Sequence, residues 1–86
     1  MSYELHFSTR ARKYIKKLNK NTQGRIIRGL ESLAENPYPS GTRKIMGRKE
    51  KLFRMRVGDH RILYEIYEDI KTILIVNIDK RSRVYK

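Results

Sequence analysis

Arg54, Arg56 and Arg61 are the residues whose type and spacing point most directly to chemistry. Arg54 and Arg56 alternate with Phe53, Met55 and Val57, and that period of two marks a strand with one arginine-bearing face. Gly58-Asp59 is a two-residue hairpin signal, so Arg61 returns on the next strand close to the other two arginines. Whether Arg61 shares their face depends on the hairpin register, which the spacing leaves open. Like charges placed across a ladder are destabilising, so this concentration needs a reason. One reason is structural: Glu65, Glu50 or Asp59 pairs with the arginines. The other is a concave anion site. A guanidinium suits such a site because its planar fork binds phosphate oxygens bidentately and keeps its charge.

Other chemistries find little support. His6 and His60 fall on different strands, there is no cysteine, and no His-x-x-x-His or paired-carboxylate spacing occurs. No metal site is expected, and the scattered acids argue against a two-metal nuclease. No cofactor is expected either, since no glycine-rich phosphate loop precedes a helix. His6 reads as an exposed strand residue. His60 reads as a polar surface residue at a hairpin tip, and its closeness to the arginines keeps it as a weak acid/base candidate.

Charge is the dominant feature of the composition. Over 86 residues, 21 Lys and Arg against 9 Asp and Glu leave a formal net charge of +12. Such a field opposes folding by self-repulsion and favours polyanions. The length fits one domain spanning 1–86. The longest aliphatic run, Ile73-Leu74-Ile75-Val76, is far below a membrane span, and Met1 to His6 lacks a basic leader followed by an apolar stretch. Absence of cysteine fits a reducing, cytoplasmic setting. With 38% hydrophobic residues placed periodically, the chain reads as folded and not as a basic tail.

The elements that must position the arginines follow from the same periodicities. Residues 2–8 alternate as a short strand with Tyr3, Leu5 and Phe7 on one side. Ser8 or Thr9 suits a helix N-cap, and Ala11, Tyr14, Ile15 and Leu18 follow at helical spacing. The Lys and Arg residues between them read as a solvated surface. Asn19 to Thr22 is a polar break with Thr22 as the cap of a second helix. That helix carries the stripe Ile26, Ile27, Leu30, Leu33 and Ala34. Asn36-Pro37-Tyr38-Pro39-Ser40-Gly41 ends it, and Tyr38 is expected to pack against the helices. Three strands follow as a meander, and Thr72–Ile78, apolar on nearly both faces, reads as the central one. The expected fold is α+β, in the order β-α-α-β-β-β, with a small mainly antiparallel sheet and both helices on one face.

Leu52-Phe53-Arg54-Met55-Arg56-Val57-Gly58-Asp59-His60-Arg61-Ile62-Leu63-Tyr64, followed by an aliphatic strand and Lys80-Arg81-Ser82-Arg83-Val84-Tyr85, resembles the RelE/ParE superfamily of toxins from type II toxin–antitoxin systems. Lys44-Ile45-Met46-Gly47 is similar to a further motif of that superfamily. The resemblance implies a ribosome-dependent, metal-free messenger-RNA endonuclease of the RelE-like branch. It implies that Arg54, Arg56, Arg61, Arg81 and Tyr85 are catalytic, with Lys44, Arg48, Lys80 and Arg83 as basic RNA contacts. The implied chemistry is attack of a 2′-hydroxyl on the adjacent phosphorus. Some RelE toxins place lysine where this chain has Arg54 and Arg56, and arginine does not readily act as a base, so the general base is left open between assistance from His60, Lys80 or Tyr85 and a reaction in which the ribosome does most of the positioning. The implied partners are the ribosome with its messenger RNA and an acidic antitoxin, in a heterotetramer or larger complex, with no membrane involved. Other readings are a ParE-like DNA gyrase inhibitor, a non-catalytic RNA-binding module, or an inactive toxin relic.

Overall fold

The computed structural model describes residues 2–39, 42–44 and 52–80. The elements are β1 (Glu4–Phe7), α1 (Thr9–Lys17), α2 (Lys20–Glu35), β2 (Arg43–Lys44), β3 (Leu52–Val57), β4 (His60–Tyr67) and β5 (Thr72–Lys80). They form one five-stranded sheet in the order β1-β5-β4-β3-β2. Strands β2 to β5 are antiparallel, and β1 returns to pair with β5 in parallel. The α+β expectation holds, with both helices packed on one face. β5 is an interior strand as expected, but β4 occupies the centre, because β1 and β2 extend the meander on either side.

Both helices start where a side chain satisfies a first-turn N–H. Ser8 caps α1 by accepting from the Ala11 N–H at 3.0 Å. The cap of α2 is Asn19 and not Thr22: Asn19 Oδ1 accepts from the Thr22 N–H at 2.9 Å, so the helix begins earlier and Thr22 lies inside its first turn. The stripe of α2 buries Ile26, Leu30, Leu33 and Ala34, while Ile27 sits at its edge and is exposed. These residues meet Ile62, Tyr64, Ile66, Ile73, Ile75 and Ile78 of the sheet. Each fully buried Ile or Leu contributes roughly 1.5–3 kcal/mol of transfer free energy, which is how a small domain offsets its cationic surface.

Tyr38 departs from expectation. It is exposed and sets its ring edge-on to Phe53 of β3, at 5.6 Å between centroids, instead of packing on the helices. Its hydroxyl donates to Glu68, which also accepts from Tyr3 at 2.7 Å. Behind it, the buried Tyr64 hydroxyl donates to the Pro37 carbonyl at 3.0 Å. These bonds pin the segment after α2 to the β4–β5 turn.

The decisive irregularity lies in β5. Its register against β4 shifts between Leu63 and Tyr64: Tyr64 pairs with Ile75, but Leu63 pairs with Asn77, leaving Val76 as an extra residue. Such a bulge inverts the facing of everything beyond it. Ile73 and Ile75 face the helices, and strict alternation would bury Asn77 and Asp79 with them. Instead Ile78 is buried and Asp79 turns to the open face.

Candidate active site

Residues directly opposite each other on adjacent strands share a face. Arg56 lies opposite Arg61, and Arg61 lies opposite Asp79, so the three form one row across β3, β4 and β5. The next row is Arg54, Leu63 and Asn77, extended by Arg43 of β2 at the register position opposite Arg54. Arg54, Arg56, Arg61, Leu63, Asn77 and Asp79 lie on the face away from the helices. Val57, of opposite parity to Arg54 and Arg56, faces α2: a Cβ on Gly29 would stand 2.9 Å from its Cγ2. The hairpin register left open by the sequence is thus settled: Arg61 joins Arg54 and Arg56.

Arg61 is held by a two-pronged contact with Asp79. Its Nε lies 3.3 Å from Oδ1 and a terminal nitrogen lies 3.4 Å from Oδ2. The side chains are 30% and 41% exposed, so water screens the pair and its net worth is about 0–1 kcal/mol. Its more important effect is orientation, since a fork bonded through two nitrogens has a fixed plane. Asp79 also offsets the repulsion between Arg61 and the facing Arg56. The carboxylates expected to do so act elsewhere or lie outside the described residues. Glu65 accepts from the Tyr67 hydroxyl at 2.6 Å. Asp59 faces His60 Nδ1 at 3.4 Å and Lys80 Nζ at 3.8 Å. Glu50 is not among the described residues.

A groove of about 560 Å³ adjoins this row where α1 crosses the end of β5. β1 pairs only with residues 72–75, so α1 takes its place beside the last residues of β5. Arg10, Lys13 and Lys17 line the groove with Tyr14, Asn77 and Asp79. These helix cations, read from sequence as a solvated surface, therefore border a concavity that reaches the arginine row at Asp79. Burial first, then the Asp79 and Asp59 carboxylates, pushes the Tyr14 phenol above its ordinary range, which keeps it neutral.

His60 requires correction. It pairs with Val57, so it faces the helices, opposite to Arg61. It is only 6% exposed, and its ring meets Tyr14 at 5.8 Å in an edge arrangement. The tight Gly58-Asp59 turn dictates this by placing residues 57 and 60 face to face. His60 is a core residue and is separated by the sheet from the arginine row. His6 is exposed as expected, beside Glu4. Lys80 is exposed at the end of β5, in register with His60, and Lys44 is in register with Phe53. Arg48, Arg81, Arg83 and Tyr85 lie outside the described residues, as do Ile45 to Gly47. Asp79 was not a sequence candidate. The sequence carries no signal for it: Leu74, Val76 and Ile78 alternate unbroken with Asn77 and Asp79, and the three-residue step between the buried Ile75 and Ile78 is visible only in the structure.

The sequence profile of the ParE toxin of type II toxin–antitoxin systems, parDE, matches residues 5–85. The chain belongs to this family. In structure it is similar to a chain of the archaeal RelE–RelB complex from Pyrococcus horikoshii OT3, with 26% identity over 96% of this chain and 99% of that one and a TM-score of 0.83. It is also similar to a chain of the RelBE2 toxin–antitoxin complex from Mycobacterium tuberculosis, with 25% identity, 94% and 93% coverage and a TM-score of 0.81. The isolated E. coli RelE toxin shares the fold at 24% identity, 98% and 92% coverage and a TM-score of 0.76. No curated protein matches the chain. Of the arginines from which the superfamily resemblance was drawn, Arg54, Arg56 and Arg61 lie on the open face of the sheet.

Proposed function

We propose that this toxin is a ribosome-dependent messenger-RNA endonuclease that blocks translation in the cytoplasm. The observation that carries the reading is the row of Arg56, Arg61 and Asp79 beside Arg54 on a face left clear of both helices. Guanidiniums in fixed planes can grip the non-bridging oxygens of a phosphodiester and offset the charge that builds at phosphorus when a 2′-hydroxyl attacks. Removing one such donor costs roughly 2.7–4 kcal/mol of transition-state stabilisation in other enzymes. The ribosome would hold the messenger in line, a positioning effect large enough to supply much of the acceleration. Arg81 and Tyr85 would complete the site from the C-terminal segment, with Lys44, Arg48, Lys80 and Arg83 as backbone contacts. The whole of 1–86 would act as one domain.

The expected protein partner is an acidic antitoxin that folds on this cationic surface, consistent with the RelE–RelB and RelBE2 complexes among the similar structures. It would relieve the self-repulsion of a +12 chain.

A second reading, a DNA gyrase inhibitor, is favoured by the ParE description of the matching family. The arginine row separates the two. A nuclease needs those guanidiniums at the scissile phosphate, whereas a gyrase inhibitor needs only a surface that fits the enzyme. Primer extension on messenger RNA in a translation reaction tests this directly, alongside a gyrase supercoiling assay. The nuclease reading expects ribosomal cleavage that Arg61→Ala reduces by roughly 10²- to 10³-fold, with circular dichroism unchanged. Inhibited supercoiling with intact messenger would replace it with the second reading.

A further inference from the structure

The arginine row has a gap in its chemistry. Attack by a 2′-hydroxyl needs a group to take its proton, and Arg54, Arg56 and Arg61 cannot serve. His60 is on the other face with Lys80 in register beside it, Glu65 is engaged by Tyr67, and Tyr85 lies outside the described residues. Among the described residues, that leaves Asp79 as the titratable acceptor standing in the row itself.

The position of Asp79 is unusual in a second respect. Arg61 faces it from β4, with Arg56 behind on β3, and Arg10, Lys13 and Lys17 of α1 face it across the groove with Tyr14. A carboxylate set among cations that are to receive RNA repels the phosphate they attract. Its presence weakens RNA binding even as it orients Arg61 in the free protein.

We propose that Asp79 is the general base of the cleavage reaction, receiving the RNA strand at the junction between the α1 groove and the arginine row. This rests on the nuclease reading given above. When the strand enters, Arg61 turns its fork from Asp79 to the phosphate oxygens, and the freed carboxylate meets the 2′-hydroxyl. The 2′-proton passes to Asp79 as the bond from the 2′-oxygen to phosphorus forms. The bond from phosphorus to the 5′-oxygen breaks, and that oxygen takes a proton from solvent. The products are a 2′,3′-cyclic phosphate and a 5′-hydroxyl, and Asp79 returns its proton to solvent.

Asp79→Asn distinguishes this role from simple charge compensation. The amide keeps an oxygen to accept from Arg61 but cannot take the proton. If Asp79 only offsets Arg61, removing its charge should tighten binding and leave turnover intact. As a base, its loss lowers kcat by roughly 10²- to 10⁴-fold with KM unchanged or lower. The assay is cleavage on programmed ribosomes, with kcat and KM read separately and circular dichroism as the folding control. Asp79→Glu serves as the companion variant: it keeps a carboxylate and should retain a larger share of kcat than Asp79→Asn, and wild-type kinetics in Asp79→Asn would overturn the assignment. So would a defect in both variants confined to KM. Wild-type protein that cleaves nothing on ribosomes would instead overturn the nuclease reading, and this assignment with it.

Discussion

The Ser8 hydroxyl donates to the carbonyl of Val76 at 2.7 Å, tying the first turn of α1 to the bulge in β5. The same oxygen accepts from the Ala11 N–H, so one side chain caps a helix and satisfies the extra residue of a strand. This matters for the site because the bulge is what turns Asp79 towards Arg61. Ser8→Ala should lose both bonds and destabilise the protein by about 2 kcal/mol, read as a lower urea midpoint. Ser8→Asp should recover only part of this. A carboxylate can cap the helix, but it cannot donate to Val76.

Gly29 of α2 faces Val57 so closely that an added Cβ would meet Cγ2 at 2.9 Å. In an exposed helix interior, glycine to alanine is expected to gain close to 1 kcal/mol. Here the methyl meets a stiff β-branched side chain on a strand, and overpacking of this kind costs about 1–3 kcal/mol. Gly29→Ala should therefore be destabilising. Paired with Val57→Ala it should be less damaging than the sum of the two changes, a coupling that a double-mutant cycle of denaturation midpoints would expose.

The Tyr38 phenol is pushed up to about 12, first by its hydrogen bond to Glu68 and then by partial burial. Its unfolded value is 10.0. A group whose folded value is the higher one contributes stability that is fully present below the unfolded value. That contribution is lost as pH rises through the folded value. Stability should thus fall between about pH 10 and 12 through loss of the Tyr38–Glu68 bond. Tyr38→Phe should be less stable at neutral pH and show a shallower decline across that interval, in urea titrations at stepped pH. Tyr3, raised by the same carboxylate, adds to the slope, so the double phenylalanine variant should be flatter still.

Local pattern was enough for most of the frame. Ile26, Leu30, Leu33 and Ala34 are buried as their helical spacing requires, and Arg54 and Arg56 share a face because their spacing is two. Gly58-Asp59 marks the hairpin but leaves its register open, and it is the ladder that sets His60 opposite Val57 and Arg61 opposite Arg56. The parallel pairing of β1 with β5 is different in kind. Leu5 meets Ile73 across most of the chain, and nothing local to either segment names its partner. The bulge at Val76 is hidden for a related reason. Ile73, Leu74, Ile75 and Val76 are all apolar, so the run shows no phase, and Asn77 and Asp79 alternate with Ile78 as they would in a regular strand. Asn19 and Thr22 are both capping residue types, and residue type alone does not rank them; in the structure Asn19 accepts from the Thr22 N–H.

Lys13 is the residue at which the competing demands on this surface can be separated. It lines the groove between α1 and β5 with Arg10 and Lys17, and no ion pair engages it among the described residues. In a +12 chain its charge opposes folding, so Lys13→Gln should leave stability unchanged or slightly higher. If the groove carries RNA backbone, the same change should weaken binding to single-stranded RNA and reduce the slope of log K against log salt by about 0.7, the share of one phosphate contact. Salt should then act in opposite senses on the wild-type protein. Added salt raises stability by screening self-repulsion beyond a Debye length of about 10 Å at 0.1 M, and it lowers RNA affinity by removing the gain from counterion release. Fluorescence-anisotropy titrations and urea midpoints over one salt series would measure both. An unchanged slope in Lys13→Gln would return the helix cations to an ordinary solvated face.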